Sequence, residues 1–449
     1  MRIVAISDSD SYLKWAGALI SSLPPEWESE LIVVQTPVMP SASQRQSALA
    51  LSGIDPESLA RLPLVDLPQR LATIRPDAVL VATRGPVARV LIRMASKTDP
   101  RPVIVSGLPG ISIPATFKAL RFRLQADLFV LHSLREIREF TALSRGLGWD
   151  HRFALATLPF VEKGEQLEKL EKRGPGPGDT VPGDLVFAAQ AVVPQGRADR
   201  LRVARLLLDA AIADPTRRVV VKVRAVRGER QTHDELDGYP ELLEQLGRLP
   251  DNLVVSSEPM SVALDTAEGL MTVSSTAAIE AIARGIPVIA LDTFGVSDAL
   301  INPVFEGSGL FAGEAAVIGR EFRQPVAGWL DDNYFHASTD DDLIEQLGEL
   351  VSARRMGALP GRAAELLPGG RLRLAWDRRR AFAEADRTLS GAVALAVGVP
   401  ARAAVLLARR IARRTRAVRG ERLDSIGLPV VGARRGRRRS GFGSRQSAA

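Results

Sequence analysis

Short apolar runs recur through this chain, and they constrain its fold more than any other feature. In the first third they read RIVAIS (2–7), ELIVVQT (30–36), DAVLVAT (77–83), RPVIVSG (101–107) and ADLFVLHS (126–133). Continuous apolar runs of this length suit strands covered on both faces of a parallel sheet. Stretches with helical spacing lie between them, beginning with SDSYLKWAGALISSL at 9–23. Strands alternating with helices build right-handed βαβ units and a doubly wound sheet.

The rhythm breaks at KGEQLEKLEKRGPGPGDTVPGD (163–184), which is charged and then rich in Gly and Pro. Such a segment reads as an interdomain linker. The alternation then restarts with DLVFAAQ (184–190), RRVVVKVR (217–224), NLVVSS (252–257), GLMTVSS (269–275) and IPVIAL (286–291). Helical stretches are expected at 198–213, 239–248, 340–355 and on to about 388. The fold expected is therefore α/β, with two tandem doubly wound Rossmann-like domains and a cleft between them. Residues 1–162 form the first domain, 163–183 the linker, 184–388 the second domain and 389–449 a basic tail. A length of 449 residues accommodates that organisation.

Ligands of such sheets bind beyond the carboxyl ends of the strands. The candidate residues are accordingly those just after strands. SDSDS (7–11) follows the first run and places Asp8 and Asp10 toward the cleft, with helix capping by Ser9 or Asp10 as the competing use. SGLPGISIPAT (106–116) is a Gly- and Pro-rich loop, in which Gly107, Pro109 and Gly110 permit close backbone approach to a ligand. Thr116 is placed to cap the next helix, and His132 ends the following strand. In the second half, Lys222, Arg224 and His233 lie in VVVKVRAVRGERQTHDE (219–235), a basic cluster suited to a diphosphate or a sugar carboxylate. Ser274, Ser275 and Thr276 end a strand and open a helix, where free N–H groups and the helix dipole favour an anion. Their other use is as helix caps.

Several classes are excluded or disfavoured. There is no cysteine, hence no disulfide and no thiolate metal site. No G-x-G-x-x-G occurs, which argues against NAD or FAD. No pair of histidines has metal-ligand spacing. An Asp-x-Asp phosphatase of the haloacid dehalogenase type wants Thr two residues beyond the second Asp, and Tyr12 stands there. Metal-dependent Asp-x-Asp glycosyltransferases have a single-domain fold. No run reaches the roughly 18 uncharged apolar residues of a membrane span. The opening MRIVAISDSD lacks the regions of a signal peptide, so a cytoplasmic location is expected.

VSSTAAIEAIARGIPVIAL (273–291) resembles the donor-binding stretch of GT-B glycosyltransferases, closest to bacterial capsule sialyl- and Kdo-transferases. DSDSYLKWAGAL, GLPGISIPAT, ADLFVLHSLREIREF and KVRAVRGERQTH resemble an actinobacterial family described as glycosyltransferases, over roughly residues 1–385. The resemblance implies that Ser274, Ser275 and Thr276 meet the donor's phosphate and that Glu280 meets its ribose. Sialyl- and Kdo-type enzymes carry a His-Pro pair after the basic strand; this chain has none, and His233 comes later. Asp8 or Asp10 would act as the base that takes the acceptor proton, with His132 a further catalytic candidate. The donor is a CMP-linked acidic sugar or a UDP-sugar, the acceptor a cell-surface glycan or lipid-linked acceptor, and no metal or other cofactor is required. A UDP-sugar 2-epimerase on the same double fold is the alternative enzyme. A non-enzymatic scaffold tethered to membrane or nucleic acid is the third reading.

The net charge of +7 is unevenly spread. Residues 401–449 hold 14 Arg and two acids, a balance of +12, which leaves the first 400 residues at −5. LSGAVALAVGV (389–399) precedes an Arg-interleaved helical pattern that suits the surface of an anionic membrane. Nucleic acid is the weaker partner, because Phe442 is the only aromatic residue in that tail.

Overall fold

A computed structural model of the chain describes residues 1–50, 52–158, 161, 183–223, 237–361 and 370–418. The basic residues Arg224 and His233, nearly all of the expected linker, and the tail beyond 418 lie outside the described residues. The first sheet contains β1 (Arg2–Ser7), β2 (Glu28–Val34), β3 (Ala60–Leu62), β4 (Ala78–Ala82), β5 (Val103–Gly107), β6 (Leu128–Leu131) and β7 (Phe153–Leu155). The second contains β8 (Asp184–Ala188), β9 (Val219–Lys222), β10 (Leu253–Ser256), β11 (Ala267–Thr272), β12 (Val288–Leu291) and β13 (Phe311–Ala312). The spatial orders are β3-β2-β1-β4-β5-β6-β7 and β10-β9-β8-β11-β12-β13. Every pairing between these strands is parallel. The expected pair of doubly wound sheets is thus present.

Both faces of the first sheet are covered, as its unbroken apolar runs require. Ile3, Ala5 and Val33 join the helix Asp10–Ser21 in one buried cluster, while Val4, Ile6 and Val79 join the helix Gly85–Ala95 in another. The second sheet is covered likewise, with Val186 and Leu270 on one side and Leu185 and Met271 on the other.

The chain then returns to the first sheet. The sequence reading carried the second domain to residue 388. In the structure Leu343, Leu347, Leu350 and Val351 of the helix Leu343–Arg355 are buried with the first-sheet cluster around Ile3 and Leu19. Ala381 and Phe382 of the helix Gly370–Phe382 pack with the cluster around Val4 and Leu91. The return is anchored by the backbone: Leu155 N–H donates to Asp342 Oδ1 at 2.8 Å, and Thr157 N–H to Asp341 Oδ1 at 2.9 Å. An amphipathic pattern tells a helix to find an apolar surface without saying which sheet supplies it.

The two orders have a shared consequence. Each reverses direction once, between β1 and β4 and between β8 and β11. Those reversals are the topological switch points, where loops leave in opposite directions and open a crevice at the carboxyl ends.

Candidate active site

The first switch point holds an ion pair with a buried carboxyl and a partly exposed arginine. Asp8 follows β1 directly and is fully buried. Arg84, two residues beyond β4, donates to it from Nε at 2.8 Å and from its backbone N–H at 3.1 Å. Burial raises the Asp8 pKa above the ordinary carboxylate value, and the Arg84 charge and hydrogen bonds pull against that rise. A second arginine lies behind. Arg123, 1% exposed, donates to Ser106 Oγ at 3.1 Å, to Tyr12 Oη at 2.8 Å and to the Thr83 carbonyl at 3.0 Å. Around this pair the hydroxyls of Ser7, Ser9 and Thr83 are buried without a hydrogen-bond partner. Buried polar atoms are ordinarily satisfied, so three orphans at adjoining strand ends mark unspent hydrogen-bonding capacity. Ser9 holds the N-cap position of the helix Asp10–Ser21 but makes no side-chain cap bond. Asp10 opens that helix and is partly exposed.

Among the described residues, the second switch point pairs neutral groups. Gln190, two residues past β8, clasps Ser274, two residues past β11. Ser274 N–H donates to Gln190 Oε1 at 2.9 Å, and Gln190 Nε2 donates to Ser274 Oγ at 3.1 Å. Ser275 N–H donates to Thr272 Oγ1 at 3.1 Å, and Ser275 Oγ accepts from Ala277 N–H at 3.2 Å. Ser275 therefore serves the helix start, whereas Thr276, at the N-cap, makes no cap bond. Thr276 Oγ1 instead accepts from Ile111 N–H at 3.4 Å, from the glycine loop of the first half. A Cβ added at Gly110 would lie 2.6 Å from that same Oγ1, so only glycine allows this approach. Glu280, one turn further on, pairs with Lys14 of the first half at 3.1 Å and lies 3.9 Å from Arg284.

The structure thus brings Gly110 and Ile111 of the glycine loop against Thr276 and sets Lys14 against Glu280, while Asp8 and Asp10 stay with the end of β1 in the first half. Other candidates are placed elsewhere. His132 was expected to face the cleft, but it is fully buried. Trp15 Nε1–H donates to its Nε2 at 2.8 Å, which leaves Nδ1 to donate to the Ala156 carbonyl at 2.6 Å. Burial lowers its pKa to about 4, so the ring is neutral at physiological pH and both nitrogens are used internally. Thr116 caps the next helix, accepting from Ala119 N–H at 3.3 Å, and is otherwise exposed. Gly107 is a packing glycine: a Cβ there would meet the Val130 carbonyl at 2.7 Å and the Trp15 ring at 2.8 Å. Pro109 sits in the loop, partly buried. Lys222 ends β9 and is buried, its Nζ bonded to the Val223 carbonyl. Among the described residues no group of His, Cys, Asp and Glu is arranged to hold a metal ion.

Sequence reading missed Arg84 and Gln190. Each sits across a switch point from a residue that was found. Only the order of the strands reveals that pairing, so no local motif could have shown it.

None of the curated proteins matches the sequence. Among solved structures, the S. aureus MnaA–UDP co-structure has the same fold, with a TM-score of 0.50 and 12% identity over 82% of this chain and all of that one. The UDP-GlcNAc 2-epimerase from Neisseria meningitidis bound to UDP-GlcNAc gives a TM-score of 0.49 at 11% identity, over 80% of this chain and 100% of that one. Phytolacca americana UGT2, complexed with UDP-2-fluoro-glucose and pterostilbene, gives 0.43 at 12% identity, over 80% and 93%. Residues 3–350, well over half of the chain, match one family model, and the protein belongs to that family, described as "Putative glycosyltransferase (DUF6716)".

Proposed function

We propose that this protein transfers a sugar from a nucleotide-activated donor, a UDP-sugar or a CMP-linked acidic sugar, to an acceptor hydroxyl. One observation carries the reading: the glycine loop of the first half bonds to the strand-to-helix turn of the second, Ile111 N–H donating to Thr276 Oγ1 at 3.4 Å. The second half is the donor side, with Ser274, Ser275, Thr276 and Gln190 toward the phosphates and Glu280 toward the ribose. The first half is the acceptor side. Asp8 is the base, and Arg84 holds it in place. The unpaired hydroxyls of Ser7, Ser9 and Thr83 supply the hydrogen bonds a polyhydroxylated acceptor needs. UDP is the nucleotide named with the S. aureus structure of the same fold, so it is the first nucleotide to test. The chemistry runs without a resident metal where helix dipoles and fixed donors neutralise the leaving phosphate.

The test is a thermal titration of the full chain with UDP, CMP, GDP and ADP. A ligand bound only to the folded state stabilises it by about 2.7 kcal/mol at a hundredfold excess over Kd. UDP or CMP is expected to stabilise, and Ser274→Ala to weaken that binding. Product analysis with and without added acceptor separates transfer from isomerisation, because an epimerase needs no acceptor. A protein that no nucleotide stabilises overturns the reading and leaves the scaffold.

The tail extends the reading. The helix Leu389–Val418 carries exposed Leu389, Val393 and Val397 at four-residue spacing, followed by an Arg-rich stretch. No described helix is long and apolar enough to cross a membrane. A helix of this kind suits the surface of an anionic bilayer and a lipid-linked acceptor. Cosedimentation with anionic but not neutral vesicles, lost on truncation after Asp386, is the expected result; capture by nucleic acid instead would refute it.

A further inference from the structure

Buried arginines in this molecule spend the ends of their guanidinium groups inside it. Arg101 grips the buried Asp127 with both, Nη1 to Oδ2 at 2.7 Å and Nη2 to Oδ1 at 3.2 Å. Arg320 commits its terminal nitrogens to Glu268 and to the carbonyls of Gly183 and Arg218. Arg123 uses Nε, Nη1 and Nη2 on Ser106, Ala119, Tyr12 and Thr83. Arg84 differs. It meets Asp8 through Nε and its backbone N–H, and among the described residues nothing bonds to its Nη1 or Nη2. The Asp8 side chain is fully buried, whereas that of Arg84 is 25% exposed. The carboxylate is the inner member of the pair and the guanidinium the outer one.

We propose that the Nη1–Nη2 edge of Arg84 binds an anionic group, a phosphate or a carboxylate, carried by the acceptor.

The planar guanidinium offers parallel N–H donors that match two oxygens of a carboxylate or phosphate. Two bonds to one carboxylate fix its plane here, so little freedom is lost when the unused edge meets a ligand. Its surroundings favour an anion. β1 and β4 pair with Ser7 opposite Ala82, so Asp8 and Thr83 leave the sheet side by side. Two helices begin there, Asp10–Ser21 and Gly85–Ala95, and neither has a side-chain cap bond. Each N-terminus adds about half a positive charge. The hydroxyls give a second, independent sign. Ser9, at the N-cap of the first helix, and Thr83, beside Arg84, are fully buried, and their hydroxyls have no partner among the described residues. Donors of this kind are ordinarily satisfied, and oxygens of a bound anion would accept from them.

The nearby acids do not fill that place. Asp8 is held on the Nε side. Asp10, at the first position of its helix, accepts from Ser11 Oγ at 3.5 Å and forms no ion pair with Arg84. Arg123 meets only neutral groups, so two arginines stand against two acids. The helix N-termini then tip the balance to positive. An uncharged ligand gains nothing from this edge, which makes Arg84 a determinant of specificity.

That the anion belongs to an acceptor rests on the glycosyltransferase reading; the anion site itself does not. The test is calorimetric titration of the full chain, at constant ionic strength, with inorganic phosphate, with glucuronate and with glucose as the neutral control. Phosphate or glucuronate is expected to bind at least about tenfold more tightly than glucose, and the tighter of the two names the group. Arg84→Ala alone leaves Asp8 without its cation, so the double variant Asp8→Asn/Arg84→Ala is compared with Asp8→Asn. The double variant is expected to lose at least about tenfold in anion affinity, whereas Asp8→Asn and Ser274→Ala keep it. Equal anion affinity in Asp8→Asn and the double variant overturns the proposal, as does a wild type that binds neither anion better than glucose. UDP affinity measured on the same samples reads the other question. UDP binding without anion binding removes this proposal alone, and anion binding without any nucleotide binding removes the proposed function alone.

Discussion

The two switch points share a topology and differ in chemistry. At β1/β4 a fully buried carboxylate meets an arginine, and three neighbouring hydroxyls have no partner. At β8/β11 an amide clasps a serine through two hydrogen bonds, and the adjoining Ser275 is bonded through both its N–H and its hydroxyl. The first arrangement is costly to maintain and sensitive to protons. The second is satisfied and neutral. A site that must take a proton from an acceptor has use for the first; a site that must hold an already charged donor has use for the second. The strand order supplies the crevice, and the residues two positions beyond the strands decide its work.

The largest expected effect breaks the charged side. Arg84→Ala leaves Asp8 buried without its cation, and removing one partner of a buried pair typically costs about 3–5 kcal/mol. Urea denaturation should read that loss. Asp8→Asn in the same background should recover a substantial part, because the uncompensated charge is then gone. Full stability in Arg84→Ala alone would mean that the carboxylate is not buried as described.

Next comes pH. Burial raises the pKa of Glu136, which accepts from Tyr334 Oη at 2.6 Å, to about 7 from the usual 4.5, so the folded state binds the proton more tightly than the unfolded chain. Its contribution to stability is therefore complete below about pH 4.5 and is lost as pH rises through about 7, a change of roughly 3 kcal/mol in all. Glu136→Gln should flatten that part of the stability profile. Ser274→Ala, on the neutral side, should shift the profile without changing its slope. The comparison fails if the two variants alter the slope alike.

Breaking the neutral side should cost less. Gln190→Ala strands Ser274 N–H and its hydroxyl, and an unsatisfied buried group costs about 1–3 kcal/mol. Water entering from the cleft would keep the loss at the low end. Ser274→Ala and the double variant should show that the two losses do not add, since both remove the same clasp. Nucleotide affinity should fall in the same variants, whereas Arg84→Ala should spare it.

Much of this was legible in the sequence, for a physical reason. Long apolar runs such as DAVLVAT and IPVIAL announce buried parallel strands by themselves. The strands β3, β7 and β13, two or three residues each at or near sheet edges, are too short to show a period. The return of Leu343–Arg355 to the first sheet was hidden, because its apolar face fits either half. Strand-end residues were legible as candidates, but their direction was not: His132 ends its strand as expected and then turns inward to Trp15. Arg84, Gln190 and the Glu136–Tyr334 contact are pairings between distant segments. Charge and spacing along one chain carry no record of them.

The smallest effect tests whether the two sides communicate through charge. Lys14, 38% exposed on its side chain, reaches from the first half to Glu280. A partly exposed ion pair of this kind is worth about 1 kcal/mol or less, and Arg284 remains near Glu280 when Lys14 is removed. Lys14→Ala should therefore change stability only slightly. Its effect on nucleotide binding is the sharper readout. If Glu280 receives the ribose hydroxyls, Lys14 competes for the same carboxylate. Removing it should then leave UDP affinity unchanged or raise it by a few-fold, and Glu280→Gln should lower it. A loss of affinity in Lys14→Ala equal to that in Glu280→Gln would make the lysine itself part of the donor site. The division into a charged first switch point and a neutral second one would then stop at this pair.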